Sequence, residues 1–342
     1  MSDDAVDVVT VPDFTGPAAA QFELRTLLFL GSWLEHGGAS REWPLHLACI
    51  GRPPDSVRRL GHRAGVSITI HEPLAGSLPV FNNKLRAFEI TPTHERLLLV
   101  DTDTLILRDL APMAGAVGGG IGVCPATYNH LPEAIWKQVF EWVGVPYPSG
   151  TGFCWADQLG TDVVGPAGCW ESSSGMPPYF NSGVLLTSWS TGLGDLWRRH
   201  LLCIAERFGH ELTGELTERI TYVDQYALAT AVSVLQQAGV RVELLPLAYQ
   251  ARLPLLVAGV LTWDDVALFH YAQTPGIYGR SAGDLARLLY GTRLAAVRRW
   301  LAQRFGLRFI RSPVYRLVEP RHLRAIEGFY IYTHRIFQKY VR

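Results

Sequence analysis

Four apolar residues in a row, Leu97-Leu-Leu-Val100, run directly into Asp101-Thr102-Asp103. A strand of that composition, spanning 96–101, has no polar face, so it needs apolar cover on both sides, which a parallel sheet flanked by helices supplies. The preceding chain agrees. Residues 6–11, 45–50 and 66–71 read as strands, and residues 18–36, 55–62 and 83–88 read as helices between them. Such alternation predicts βαβ units and an α/β fold, Rossmann-like, with a mostly parallel central sheet. Pro112 and the glycines at 115, 118, 119, 120 and 122 predict a loop leading into a further strand. Beyond it, 179–187, 240–245 and 267–271 read as strands, and 195–208 and 224–237 as helices.

With 342 residues, 48% of them hydrophobic, the chain has ample material for a core and is not a disordered polymer. Its longest apolar run, 253–261, is far short of the ~18 residues of a membrane span. The start, Met1-Ser-Asp-Asp4, lacks the basic and apolar regions of a secretory signal. Five cysteines, at 49, 124, 154, 169 and 203, show no CxxC spacing, which points away from a zinc site or a disulfide framework. These features predict a soluble cytoplasmic protein with reduced thiols.

Net charge is zero, but unevenly spread. Residues 293–342 hold 12 Lys and Arg against two acids, Glu319 and Glu327, so the rest of the chain carries 19 basic and 29 acidic residues. The expected organisation is one α/β domain over 1–290 and a basic helical extension over 291–342. Leu294, Val297, Leu301 and Phe305 form one apolar stripe there, and Phe329, Tyr332, Ile336 and Tyr340 another, each beside arginines. That pattern suits a helix lying on an anionic membrane surface, peripheral on the inner face; it also suits a helix packed on the body with solvated arginines. No nucleic-acid motif accompanies the charge, so no nucleic-acid partner is expected.

Residues 129–178 are rich in Gly, Pro and Ser and contain Trp136, Trp142, Trp155 and Trp170. An insertion of this kind in an α/β domain reads as a functional loop, and its tryptophans suit packing against sugar rings in an acceptor site; taken singly, each tryptophan reads better as core.

The chemistry concentrates at Asp101-Thr-Asp103. Alternation along a strand would aim both carboxylates the same way, and two like charges side by side call for a counter-charge. A hard divalent cation supplies it, taking oxygen ligands and keeping positions open for phosphates. The location fits, because open α/β sheets bind ligands beyond the carboxyl ends of their strands. The plainer alternative is that one aspartate caps a turn and the other is merely exposed.

The strand ending in Asp101-Thr-Asp103, then Tyr179-Phe-Asn-Ser-Gly-Val-Leu-Leu, then Tyr222-Val-Asp-Gln225, then a strand ending in His270, follow one another as in one known group. Over residues 5–275 the chain resembles nucleotide-sugar glycosyltransferases of the GT-A fold, closest to the retaining family 8 type, glycogenin-like and lipooligosaccharide galactosyltransferase-like enzymes. The resemblance implies a sugar transfer from a nucleoside-diphosphate sugar, a UDP-sugar, to a carbohydrate or other hydroxyl acceptor. It implies Mn²⁺ or Mg²⁺ on Asp101, Asp103 and His270. It places Thr102, Asn181, Ser182 and Gly183 near the donor, and it makes Asp224 and Gln225 the pair facing the sugar opposite the leaving group. A basic residue against the sugar or phosphates would be Lys84 or Arg86. Asp224 could equally cap the helix it precedes.

The chain also departs from that pattern. The family continues its histidine into Gly and Lys-Pro, whereas here His270 leads into Tyr-Ala-Gln-Thr-Pro-Gly-Ile-Tyr-Gly-Arg280, which leaves Arg280 as the candidate cation. Gly279-Arg-Ser281-Ala-Gly283 matches a hydrolase nucleophile elbow but follows a Pro/Gly loop, and Ser281 with Asp284 reads better as a helix cap. A nucleotidyltransferase would show a Gly-rich basic phosphate loop after the first strand, and none is evident. A catalytically inactive GT-A scaffold is the non-enzyme alternative, against which the intact Asp101-Thr-Asp103 and Asp224-Gln225 stand.

Overall fold

The computed structural model describes residues 5–74, 80–126, 131–148, 179–211, 221–252, 255–256, 261–271, 332–333, 335–336 and 339–340. Strands β1 (Val6–Thr10), β2 (Leu45–Ile50), β3 (Ser67–His71) and β4 (Arg96–Val100) alternate with helices α1 (Ala19–His36) and α2 (Asp55–Arg63). Then come β5 (Thr104–Ile106), α3 (Ala111–Ala116), β6 (Ile121–Pro125) and α4 (Glu133–Trp142). They are followed by β7 (Phe180–Ser188), α5 (Leu193–Glu211), α6 (Val223–Gln237), β8 (Val242–Leu244) and β9 (Leu268–His270).

Seven strands form one sheet in the order β3-β2-β1-β4-β7-β6-β8. Every pairing in it is parallel except those of β7, which runs against both β4 and β6. The α/β fold with a mostly parallel sheet flanked by helices is therefore present. The apolar run of β4 shows why: Leu97 and Leu99 enter a core with α4, α5 and α6, while Leu98 and Val100 enter a second core with α1, α2 and α3. Alternate residues of one strand thus hold helices on opposite faces of the sheet.

Several elements differ from the sequence reading. β4 ends at Val100, and 101–103 form a turn, so the two aspartates do not share a strand face. A short strand, β5, follows and pairs antiparallel with β9, Thr104 opposite His270, in a separate two-stranded sheet. Residues 111–116, expected in a loop, are α3, with Pro112 in the first turn where its missing N–H is harmless. The segment Val80–Glu89 is a 3-10 helix, and its Asn83 side chain ties it to the body, accepting from Leu74 N and donating to Asp13, both at 2.8 Å.

Part of the supposed acceptor loop is core. Trp136 of α4 is fully buried, with its ring edge-on to Tyr179 and Tyr226 at 5.3 and 5.4 Å. Trp142 packs edge-on against Phe208 of α5. Trp155, Trp170, Arg280, the Gly279–Gly283 motif and most of the basic extension lie outside the described residues.

The described end of the extension packs on α1. A methyl on Gly31 would meet Ile336 at 2.6 Å and Tyr340 at 3.0 Å, Lys339 pairs with Glu35 at 2.5 Å, and Arg63 stacks over Tyr340. Tyr332 contacts the rings of His36 and Trp263. The stripe formed by Tyr332, Ile336 and Tyr340 is thus turned onto the protein body.

Candidate functional site

Three elements end at one edge of the sheet. β4 delivers Asp101, the reversed β7 begins there with Asn181, Ser182 and Gly183, and β9 ends on His270. Asp101 N donates to Gly183 O at 2.8 Å, and Tyr271 N donates to Asp103 O at 2.9 Å, so the turn at 101–103 is tied to both partner strands. On its other side β7 loses register: Val123 faces Leu185, but the next residue, Cys124, faces Asn181. The bulge leaves Ser182 and Gly183 out of the β6 ladder while β7 keeps its pairing with β4, a device that re-aims side chains beside a site.

Asp101, Asp103 and His270 converge. One ligand atom from each lies within 4.8 Å of the other two, the only such group of three or more among the described residues. His270 Nε2 is 3.2 Å from Asp103 Oδ1, and His270 Nδ1 is buried with no hydrogen-bond partner. Gly183 lines the group so closely that a Cβ there would lie 2.9 Å from Asp101 Oδ2, 3.0 Å from His270 Cε1 and 2.7 Å from Asn181 Oδ1. Two carboxylates and an imidazole with an unspent nitrogen, held against bare backbone, make a donor set that fits a hard divalent cation.

Between the sequence candidates Lys84 and Arg86, the structure brings one to the cluster. Lys84 is buried, with Nζ 3.2 Å from carboxylate oxygens of Asp101 and of Asp224, and it donates to Ser182 Oγ at 2.8 Å. Ser182 in turn donates to Asp224. Arg86 turns outward to Glu89 at 2.7 Å and to the carbonyls of Glu72 and Pro73. Asp224 sits in the first turn of α6, but Tyr222 is the cap residue and no side chain caps the helix. Its carboxylate serves Lys84 and Ser182 instead, and its carbonyl accepts from Trp197 Nε1 at 2.8 Å. Gln225 is half-buried beside it, and Thr102 is buried in the turn between the two aspartates.

Electrostatics separate the two aspartates. Burial pushes the Asp101 carboxyl above the usual range, with Lys84 opposing and Asp103 adding to the rise. Burial acts on Asp103 in the same sense, but His270, Arg25 and Lys84 outweigh it and hold that carboxyl well below the usual range. For Lys84, burial would favour loss of the proton; Asp101 and Asp224 overcome it and keep the ammonium charged far into alkaline pH.

Two participants escaped the sequence reading. Arg25 of α1 is buried, with Nη1 4.0 Å from Asp103 Oδ2 and its guanidinium 5.4 Å from the Phe22 ring centre. Gln250 is buried and donates to Asn181 Oδ1, which also accepts from Gly183 N at 2.8 Å. A signal for Arg25 did exist: Phe22, Arg25 and Phe29 share one helix face, so a cation falls on an apolar stripe. Gln250, in a short 3-10 turn, gave none.

The chain is similar to several solved glycosyltransferases. Galactosyltransferase LgtC, solved in complex with donor and acceptor sugar analogs, is 16% identical over 79% of this chain and 88% of that one, with a TM-score of 0.44. GlyE of Streptococcus pneumoniae TIGR4 is 13% identical over 79% of this chain and 55% of its own, with a TM-score of 0.48. Mouse xyloside xylosyltransferase 1 is 14% identical over 78% and 98%, with a TM-score of 0.43. No curated protein matches the chain. The model of the Rhodobacterales glycosyltransferase domain matches residues 50–236, a stretch that carries Lys84, Asp101, Asp103, Asn181, Ser182 and Asp224. That match covers more than half of the chain, which therefore belongs to this family of glycosyltransferases.

Proposed function

We propose that the enzyme transfers a sugar from a nucleoside-diphosphate sugar, a UDP-sugar, to a hydroxyl acceptor, with retention of anomeric configuration, and that it does so with Mn²⁺ or Mg²⁺. The observation that carries the reading is the convergence of Asp101, Asp103 and His270 at the carboxyl edge of the sheet, with Lys84 and Asp224 beside them. Asp101, Asp103 and His270 would hold the ion, which when bound supplies a Lewis acid for the departing diphosphate.

The remaining work falls to side chains already in place. Cleavage of the glycosyl–phosphate bond builds positive charge on the anomeric carbon and negative charge on the leaving oxygen. Lys84, kept charged by two carboxylates, is a preorganised cation for the leaving group. Asp224 and Gln225, at the start of α6, offer oxygens to the sugar's opposite face. Asn181, fixed by Gln250, and Ser182, fixed by Asp224, hold the sugar hydroxyls, and Gly183 lets the donor approach bare backbone. Apart from Lys339, which is paired with Glu35, the basic residues of the extension suit an anionic membrane surface, a role left to their charges once Tyr332, Ile336 and Tyr340 are engaged on the body.

A panel of UDP- and GDP-sugars, incubated with the protein and Mn²⁺ without acceptor and followed by proton NMR, tests this reading. Hydrolysis of one donor with an initially retained anomer is the expected result, and an unchanged panel together with no nucleotide binding favours the inactive-scaffold alternative. Membrane association is tested by flotation: binding to anionic but not zwitterionic vesicles, weakened by salt, is expected.

A further inference from the structure

The two aspartates of the turn are each matched by a cation from a different element. Lys84 reaches Asp101 at 3.2 Å from the 3-10 segment. Arg25 approaches Asp103 from α1 on the far side, 4.0 Å from Oδ2, while His270 takes Oδ1 at 3.2 Å. Arg25 is only 6% exposed, on a helix face otherwise built from Phe22 and Phe29. A guanidinium buried that far is unfavourable unless a carboxylate is near it, and among the described residues of the ligand cluster it reaches Asp103.

We infer that Arg25 is a positioning residue that fixes Asp103 and, through its charge, holds down the affinity of the cluster for a bare divalent ion, so that ion and donor diphosphate are retained together. The inference rests on the donor-site reading above. Asp101, Asp103 and Asp224, when ionised, bring three negative charges to the cluster, and Lys84 and Arg25 return two positive ones. With these charges the buried group stands at −1 without the ion and at +1 with a bare divalent ion, whereas the two negative charges of a sugar diphosphate arriving with the ion bring it back to −1. Arg25 is the cation of the pair that can be removed without breaking the Lys84–Asp224–Ser182 bonds. By linkage, whatever the diphosphate adds to ion affinity the ion adds to diphosphate affinity.

The test is calorimetric titration of MnCl₂ into chelator-treated wild type, Arg25→Met and Arg25→Lys, each without nucleotide and again with saturating UDP or GDP. Arg25→Met keeps the length of the buried stem and removes the charge. It is expected to bind bare Mn²⁺ at least tenfold more tightly than wild type, and the gain in Mn²⁺ affinity caused by nucleotide should shrink by a similar factor. Arg25→Lys should stay within about threefold of wild type. A purely structural Arg25 would lower Mn²⁺ affinity in both variants along with the melting temperature, so unchanged or weaker bare Mn²⁺ binding by Arg25→Met overturns the inference. Arg25→Gln carries the same comparison if Arg25→Met does not fold. Wild type that binds Mn²⁺ neither alone nor with nucleotide overturns the donor-site reading and this inference with it.

Discussion

Gly183 occupies a point where the side chains of Asn181, Asp101 and His270 leave room for a hydrogen and nothing larger. Gly183→Ala should therefore lower Mn²⁺-dependent nucleotide affinity at least tenfold, because the new methyl must displace Asp101, His270 or Asn181; overpacking should cost about 1–3 kcal/mol of stability. Calorimetry and urea unfolding measure the two effects separately. Lys84 and Arg86, two residues apart, make a second contrast. Lys84→Met should reduce donor hydrolysis by two orders of magnitude or more and leave Asp101 and Asp224 facing each other unscreened. Arg86→Ala should leave hydrolysis within twofold of wild type and cost no more than about 1 kcal/mol, since its partner Glu89 is near the surface and is shared with His71 and Arg198. Equal losses from the two variants would contradict the assignment. Asp101, Asp103, His270, Asn181 and Asp224, candidates that the structure brings together, stood out in the sequence because their motifs carry recognisable neighbours. The choice between Lys84 and Arg86 was open in the sequence, because both are basic residues of one short segment and only the fold sets Lys84 against Asp101 and Arg86 against Glu89.

Among the elements, the sheet strands and long helices were readable from hydrophobic period, since each buries a face or both faces against a core. The short pieces were not. β5 has three residues and exists because β9, more than 160 residues later, pairs with it, a tertiary cause no local pattern announces. α4 was hidden by the Gly, Pro and Ser around it, although Ile135, Trp136, Val139 and Phe140 stand at helical spacing. The α5–α6 pair that supports Asp224 carries its own pH dependence. His200 of α5 faces Thr230 of α6 with Nδ1 2.9 Å from Oγ1, and burial, helped by Arg199, pushes its imidazole down from 6.5 to about 4. The folded state thus holds His200 neutral where the unfolded chain would take up a proton. Its contribution is complete above pH 6.5 and is lost as pH falls from there to about 4. Melting temperatures recorded from pH 7.5 down to 4.5 should decline, and His200→Gln should flatten that decline; an unchanged slope would contradict it.

At the scale of the molecule, charge and packing divide the C-terminal extension. The sequence showed apolar stripes and basic flanks and could not decide whether the stripe met lipid or protein, because both bury the same side chains. The structure turns Tyr332, Ile336 and Tyr340 onto α1 and Trp263, and α1 is the helix that carries Arg25 to Asp103. Trp263 in turn contacts Phe269, the residue before His270, with ring centres 4.8 Å apart. Ile336 is 1% exposed, so Ile336→Ala should lower stability by about 2–4 kcal/mol, read as an earlier urea midpoint at unchanged slope. An unshifted midpoint would mean that the segment does not hold α1 in solution. The family match, the sheet edge and the ligand cluster meet in one claim, that Asp101, Asp103 and His270 build a metal-dependent donor site. Calorimetric titration of UDP and GDP into wild type and Asp103→Ala, with and without Mn²⁺, tests it most directly. The account predicts Mn²⁺-dependent binding of UDP that disappears in Asp103→Ala; nucleotide binding indifferent to Mn²⁺ and to Asp103, or no binding at all, would contradict it.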